Sequence, residues 1–110
     1  MDTYYDPKDL PKFADVGEEA PELAKKFFEY YGAVFAEGDL TEREKALIAL
    51  AVAHAIQCPY CIDAYTQTCL EKGANLGEMT EAIHVTTAIR GGASLVHATQ
   101  MRKIAKKLSM

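Results

Sequence analysis

Two cysteines three residues apart, Cys58 and Cys61, are the residues of this chain whose types and spacing could do chemistry. On a helix, positions three apart bring their Cβ atoms to within about 5–6 Å, so a modest adjustment lets the sulfurs bond. In a chain with no secretory signal, such a pair is rarely a structural staple. The spacing therefore indicates either a redox pair or half of a metal site.

Pro59 decides where the two thiols lie on their helix. Proline inside a helix loses a hydrogen bond and clashes with the preceding turn, whereas it suits the first helical position. We therefore predict a break at Cys58 and a new helix from there to Gly73. Unpaired N–H groups and the helix dipole at such an N-terminus favour an anion, and so lower the pKa of a thiol.

A reactive thiol also needs a base or a hydrogen-bond partner, and two residues have suitable spacing. His54 lies four residues before Cys58, and Tyr65 lies four residues after Cys61. We take His54 and Tyr65, together with the two cysteines, as the candidate catalytic residues. A histidine in an apolar helix is often only a core residue bonded to a backbone carbonyl, and that alternative stays open.

Other thiols and imidazoles could approach the same place. His84 and His97 belong to later helices, and Cys69 continues the helical stripe of Cys61 as an expected inert buried thiol. A zinc site would use the cysteine pair, His54 and a fourth ligand such as Cys69 or His84. The sequence has no second close cysteine pair, so we favour redox chemistry without a metal or organic cofactor.

Composition limits the partners and the location. With 110 residues, 49% apolar and 25% charged, the chain fits one globular domain spanning residues 1–110. A net charge of −4 argues against nucleic acid or an anionic membrane as the main partner. Residues 102–107 are locally basic, which we interpret as favourable charge at a helix C-terminus. The apolar stretch at residues 46–56 is well short of the ~20 residues needed to span a bilayer, and the acidic start is no signal peptide. We expect a cytoplasmic protein.

Hydrophobic spacing predicts helices throughout and no strand. After an irregular segment at residues 1–20, apolar residues recur at helical spacing from Leu23 to Phe35. Thr41 and Glu44 form a capping-box pattern that opens a helix through Gln57. The second half of that helix is apolar on every side, which predicts a central position in the core.

A further cap and a glycine pair organise the C-terminal half. Asn75 and Glu78 predict a helix start, and the helix runs to about Arg90. Gly91 and Gly92 then either interrupt it or allow close packing, before a last helix to about residue 108. The predicted fold is a single compact all-α domain of about five to six helices.

Several segments together match a known pattern: an apolar helix at residues 47–53, the pair Cys58-x-x-Cys61, and then Leu70-x-x-Gly73-Ala74 and Glu78-x-x-Glu81-Ala82. In these the chain resembles the carboxymuconolactone decarboxylase superfamily, and within it the AhpD-like alkylhydroperoxidase branch. The resemblance covers roughly residues 41–95. Residues 57–67 and 89–97 also resemble the arsenosugar-biosynthesis-associated peroxidase-like subgroup.

The resemblance implies an all-helical homo-oligomer, usually a trimer or hexamer, with a thiol-dependent peroxidase activity. Its substrate would be a hydroperoxide or a disulfide, and an external dithiol would supply the electrons. The peroxidatic and resolving thiols of the family carry over to Cys58 and Cys61. Which of the two attacks stays open, with a slight preference for Cys58.

The proton relay of the family does not carry over. Where the family has a Glu this chain has Ala46, and where it has a His this chain has Tyr65. Our hypothesis is that His54 takes over the relay and Tyr65 acts as a hydrogen-bond donor. Glu42 and Glu44 are interpreted mainly as cap residues, although either could orient His54.

Two alternatives to a peroxidase remain. The pair could serve a general dithiol–disulfide oxidoreductase without peroxide specificity, or it could be kept only for packing in a non-catalytic helical oligomer. N-terminal aromatic residues could cover a subunit interface or pack the N-terminal segment onto the core. They are Tyr4, Tyr5, Phe13, Phe28 and Tyr31.

Overall fold

Five α-helices and one 3-10 helix build the part of the chain that the computed structural model describes, residues 5–109. The α-helices are α1 (Pro21–Phe35), α2 (Glu42–Ala55), α3 (Pro59–Glu71), α4 (Leu76–Val96) and α5 (Ala98–Ser109). No strand occurs within this range. The all-α class, the number of helices and the position of the cysteine pair at a helix N-terminus are confirmed.

The N-terminal segment differs from its prediction. Residues 1–20 were expected to be irregular, but Pro7–Glu19 form the 3-10 helix. The Asp6 carboxylate caps it by accepting a hydrogen bond from the backbone N–H of Lys8, at 3.0 Å. Pro7 has a φ suited to a first helical turn, while Pro11 has no N–H for an α-helical bond. The cap and the first proline therefore start the helical turn, and Pro11 leaves one backbone hydrogen bond unmade within it.

α2 is the central helix, as predicted, because its main packing partners are α3 and α4. Its buried side chains are Ala46, Leu50 and Ala53. The capping box is present: Oγ1 of Thr41 accepts from the backbone N–H of Glu44, and the Glu44 carboxylate accepts from the backbone N–H of Thr41. This confirms the predicted start of the helix.

The connection from α2 to α3 is a tight reversal of the backbone. α2 ends at Ala55 rather than at the predicted Gln57, because Gln57 adopts a left-handed conformation with φ 56°. The backbone N–H of Cys58 then donates to the carbonyl of Ala53, at 3.0 Å. Pro59 takes the first position of α3, which confirms the predicted break at Cys58.

α4 begins with the predicted cap, and it does not break at Gly91 and Gly92, where an interruption was one of the two predicted outcomes. Asn75 and Glu78 form a capping box. The helix continues through Gly91 and Gly92, and the chain turns only at His97. A Cβ added at either glycine would meet no atom within 4 Å, so neither glycine allows a close approach within this chain.

The core lies between α2, α3 and the first half of α4, and the C-terminal part extends away from it. The core cluster consists of Ala46, Leu50, Cys69, Ala74 and Met79. α5 makes its main contacts with α4. The radius of gyration is 19.1 Å because of this extension, whereas a compact chain of this length would have about 13 Å. Many large apolar side chains are consequently exposed.

None of the helices within residues 5–109 is long and apolar enough to cross a bilayer.

Candidate active site

Cys58 is the N-cap residue of α3, and Cys61 lies one turn into the helix. The backbone N–H of Cys61 donates a hydrogen bond to Sγ of Cys58, at 3.2 Å. The two Cα atoms are 5.2 Å apart and the two sulfurs form a disulfide. This Cα separation lies in the usual range for disulfides, about 4.4–6.8 Å. The backbone can therefore hold the oxidised pair, and it presents an N–H group to Sγ of Cys58.

An open cleft of about 550 Å³ lies in front of the pair, and we name it the cysteine cleft. Its walls come from the 3-10 helix, α1 and α3, and its floor contains both cysteines. Apolar and aromatic side chains dominate it. They include Leu10, Phe13, Val16, Tyr31 and Tyr65.

Cys61 also faces a second opening, the α2 cleft, with a volume of about 560 Å³. Tyr31 and Tyr65 line both clefts, and apolar residues of α2 such as Ile48 and Val52 complete the second one. Tyr65 thus lies beside Cys61, as its spacing predicts. Partial burial raises the pKa of Tyr31, so this phenol remains protonated at neutral pH and able to donate.

Aromatic rings hold Tyr65 and connect it to the N-terminal segment. The rings of Tyr65 and Phe35 stack with centroids 5.2 Å apart. Tyr31 contacts Phe35 at 5.0 Å and Phe27 at 5.6 Å, and Phe13 reaches Phe27 at 6.3 Å. Phe28 also contacts Phe13, so these rings pack the N-terminal segment onto α1; Tyr4 lies outside the described residues.

His54 does not share the cleft of the cysteines. Its Nδ1 lies 2.8 Å from the carbonyl oxygen of Leu50. A carbonyl only accepts, so Nδ1 carries the proton and Nε2 of the neutral ring is left as an acceptor. The ring lines a third cleft of about 530 Å³, with Gln57, Pro59 and Asp63.

The reason for this displacement is the turn between the two helices. A spacing of four residues places side chains on one face only when the helix is continuous. The left-handed backbone at Gln57 lies between His54 and Cys58 and redirects the chain. His54 therefore lies beside the start of α3 on a neighbouring cleft, with the backbone bond typical of a core histidine, and its role as a relay stays a prediction.

Asp63 and Tyr5 were missed by sequence reasoning, although both are close to the cysteine pair. The Tyr5 hydroxyl donates to Oδ2 of Asp63 at 2.6 Å, and Nε2 of Gln67 donates to Oδ1 at 2.6 Å. These bonds hold the pKa of Asp63 below its usual range, and the bond to Asp63 raises the pKa of Tyr5 to about 12. The Tyr5 ring also meets that of Tyr60 at 4.6 Å. A partner 58 positions away leaves no local signal in the sequence.

The remaining thiol and imidazoles lie away from the pair. Cys69 is fully buried and unpaired, and burial raises the pKa of its thiol, in agreement with the predicted inert role. His84 and His97 are exposed and line none of the three clefts described above. No three His, Cys, Asp or Glu side chains among residues 5–109 come together as a possible metal site.

Three positions that the sequence analysis related to the proton relay lie in the core or make other contacts. Ala46, at the position of the family glutamate, is buried in the core. Glu44 caps α2, and Glu42 pairs with Lys72, the residue that follows α3, at 2.6 Å. Among residues 5–109, neither carboxylate bonds to His54, so the predicted orienting contact from Glu42 or Glu44 is not formed there.

Comparison with known proteins places the chain in a family. The model of the carboxymuconolactone decarboxylase family matches residues 21–102, and the chain belongs to this family. It is 35% identical over 94 residues to uncharacterized protein 4 in the cox locus of Paracoccus denitrificans, covering 86% of this chain and 85% of the relative.

Solved structures agree with this assignment. A protein from Methanobacterium thermoautotrophicum matches with a TM-score of 0.73 and 40% identity, over 76% of this chain and 94% of the other. A carboxymuconolactone decarboxylase family protein from Legionella pneumophila, in its apo form, matches with a TM-score of 0.70 and 32% identity, over 94% of both chains. The fold of the chain thus agrees with its membership of this family.

Proposed function

We propose that this chain is a thiol-dependent peroxidase of the AhpD-like type, in which Cys58 and Cys61 cycle between a dithiol and a disulfide. The observation that carries the proposal is the position of Cys58 at the N-terminus of α3, where its Sγ accepts the N–H of Cys61. A thiolate at Cys58 would be stabilised by that bond and by the helix dipole. A low thiol pKa is what an attacking cysteine needs at neutral pH.

The reaction begins at Cys58. Its thiolate attacks an oxygen of the hydroperoxide, the O–O bond breaks, and the released alkoxide takes up a proton and leaves as an alcohol, or as water when the substrate is hydrogen peroxide. Cys58 becomes a sulfenic acid. The sulfur of Cys61 then attacks Sγ of Cys58, the hydroxyl leaves as water, and the disulfide forms. An external dithiol returns two electrons and two protons by thiol–disulfide exchange.

Proton delivery to the leaving oxygen is assigned to groups beside the pair. Tyr31 and Tyr65 line the cysteine cleft with phenol hydroxyls. His54 has a free Nε2 acceptor on the neighbouring cleft and is proposed to exchange protons from that side. The roles of Tyr65 and His54 are thus donor and relay, in place of the glutamate and histidine of the family.

The surroundings of the pair indicate the partners. Apolar walls of the cysteine cleft suit a hydroperoxide with an apolar substituent. The exposed apolar side chains support a homo-oligomer, proposed as a trimer or hexamer. A reducing compartment such as the cytoplasm would supply the dithiol reductant.

One observation favours a second candidate, a general dithiol–disulfide oxidoreductase. The imidazole of His54 lies on a different cleft from the cysteines, so among the described residues the hydroxyl groups on the lining of the cysteine cleft are those of tyrosines. Thiol–disulfide exchange needs less acid assistance than cleavage of an O–O bond, because its leaving group is itself a thiolate.

Stopped-flow oxidation of the reduced protein by an alkyl hydroperoxide separates the two. A peroxidase oxidises its dithiol far faster than the peroxide oxidises free dithiothreitol, and Cys58→Ser or Cys61→Ser abolishes turnover. Cys69→Ala is the matched cysteine control and keeps the rate. If the peroxide reacts no faster than with the free thiol, the peroxidase is excluded and the general oxidoreductase becomes the candidate to test.

The same assay tests the two proposed proton groups. His54→Ala is expected to slow oxidation strongly if His54 is the relay, whereas Tyr65→Phe removes only a hydroxyl and keeps the stack on Phe35. A rate that is unchanged in His54→Ala would remove His54 from the mechanism.

A further inference from the structure

α5 carries an apolar stripe that nothing in its own chain covers. Met101, Ile104, Ala105 and Leu108 recur at the spacing of one helix face. Met101, Ile104 and Leu108 are 60%, 59% and 79% exposed. α4 is the element with which α5 makes its main contacts. The α5 stripe is therefore available to another molecule.

The same helix has a strong excess of positive charge. Residues 98–109 contain Arg102, Lys103, Lys106 and Lys107 and no acidic residue. These residues form like-charge pairs four positions apart, which destabilise an isolated helix. Among residues 5–109, none of the four takes part in an ion pair. On a helical projection, Arg102 and Lys107 border the α5 stripe on its two sides.

A groove of complementary character lies between two N-terminal elements. It is an apolar opening of about 250 Å³ between the 3-10 helix and α1, and we name it the N-terminal groove. Its exposed lining side chains are Phe13, Val16, Leu23 and Phe27. Val16 and Leu23 are 72% and 71% exposed, so this groove also presents an apolar surface without a partner.

The segment that forms the groove is acidic. Between Lys12 and Lys25 the chain has four carboxylates and no basic residue. They are Asp15, Glu18, Glu19 and Glu22. All four are exposed, and within the described residues none forms an ion pair. Four unpaired negative charges here match the four unpaired positive charges of α5.

We propose that α5 of one copy of this chain docks in the N-terminal groove of a second copy. The α5 stripe would cover the groove, and Arg102 and Lys107 would meet the carboxylates around it. The α2 cleft is a competing apolar surface, but the charged side chain on its lining is Lys45, which would repel α5. Charge therefore favours the N-terminal groove over the α2 cleft.

Docking of α5 would affect the surroundings of Cys58 and Cys61 indirectly, through the wall of the cysteine cleft. Phe13 and Val16 line both the N-terminal groove and the cysteine cleft. A helix docked on their outer side would hold the wall of the cysteine cleft in place. The inference does not depend on the proposed peroxidase activity, since its test is self-association alone.

Charge reversal tests the contact by analytical ultracentrifugation. The groove variant Glu18→Lys/Glu19→Lys and the α5 variant Arg102→Glu/Lys107→Glu are each expected to weaken self-association at least about tenfold, by like-charge repulsion. The combined variant with all four changes restores opposite charges and regains the assembly. Glu37→Lys/Asp39→Lys makes the same charge change outside the groove and associates like the wild type.

Circular dichroism establishes that each variant is folded before association is compared. Self-association of the wild type should also weaken as salt rises from 0.1 M to 1 M, where the Debye length falls from about 10 Å to about 3 Å. A monomeric wild type, a single reversal that associates normally, or a combined variant that stays dissociated would each overturn the docking.

Discussion

The backbone N–H of Cys61 lies 3.2 Å from Sγ of Cys58, so one residue of the redox pair caps the helix on which the other is carried. In the reduced protein this bond would satisfy an unpaired donor of the first helical turn. It would also favour the thiolate of Cys58. The stability of α3 and the reactivity of its first cysteine therefore depend on the same contact.

The capping role can be measured in the reduced protein. Cys58→Ser keeps a side-chain acceptor at the N-cap position, whereas Cys58→Ala removes it. We expect Cys58→Ala to be less stable than Cys58→Ser by about 1 kcal/mol, the usual cost of losing an N-cap acceptor. Urea denaturation of the two variants under reducing conditions gives the difference. Equal midpoints would mean that the Cys58 sulfur does not cap α3.

The bond between Tyr5 and Asp63 makes stability depend on pH in two windows. The pKa of Asp63 is lowered in the folded protein, so its contribution is present above the unfolded pKa and is lost as pH falls through the lower folded value. The pKa of Tyr5 is raised to about 12, so its contribution is present below its unfolded pKa of about 10 and is lost as pH rises through about 12.

Tyr5→Phe removes this bond and keeps the ring against Tyr60. The stability difference from wild type should be largest near neutral pH and should shrink in both windows, as measured by chemical denaturation across pH. Tyr30→Phe is a control that removes an exposed phenol on α1. A difference that stays constant from acidic to alkaline pH would show that the hydroxyl bond is not formed.

Two glycines should respond to alanine in opposite directions. Gly73 has φ 87°, a left-handed conformation in which a Cβ costs about 1 kcal/mol or more. Gly92 lies inside α4 with no atom within 4 Å of an added Cβ, and alanine there raises helix propensity by about 1 kcal/mol. Thermal unfolding should therefore place Gly73→Ala below the wild type and Gly92→Ala above it. A loss of stability in Gly92→Ala would reveal a close neighbour beyond the described residues of this chain.

Glu78 has two roles that substitutions can separate. Its carboxylate accepts the N–H of Asn75 at 3.0 Å and also pairs with Arg43 of α2. Glu78→Gln keeps an acceptor for the cap and loses the charge. Because both side chains of the pair are more than one-third exposed, this should cost less than about 1 kcal/mol.

Glu78→Ala removes the acceptor as well. A further loss of about 0.5–1.5 kcal/mol is expected, since one more hydrogen bond disappears. Urea midpoints for the two variants provide the comparison, and identical midpoints would assign the whole effect to the ion pair.

Features set by neighbouring residues could be predicted from the sequence. The capping boxes at Thr41 and Asn75 involve groups three positions apart, and Pro59 can occupy only the start of a helix. The N-terminal ends of α2, α3 and α4 follow from these local rules. The place of Cys58 at a helix N-terminus could be predicted for the same reason.

Features set by the path of the chain could not be predicted in this way. His54 and Cys58 would share a face on a continuous helix, but the left-handed Gln57 between them separates their clefts. The contact of Tyr5 with Asp63 joins positions far apart in the sequence. Periodicity describes one helix at a time, so it does not reveal how two helices turn against each other.

The reactivity of the buried Cys69 thiol can report how often the core opens to solvent. Its side chain has no exposure in the folded state, while the redox pair lies on an open cleft. After reduction, an alkylating reagent should modify two thiols quickly and the third only when the core itself opens. The slow phase of labelling would then report the free energy of global unfolding under native conditions, without denaturant and without an engineered thiol.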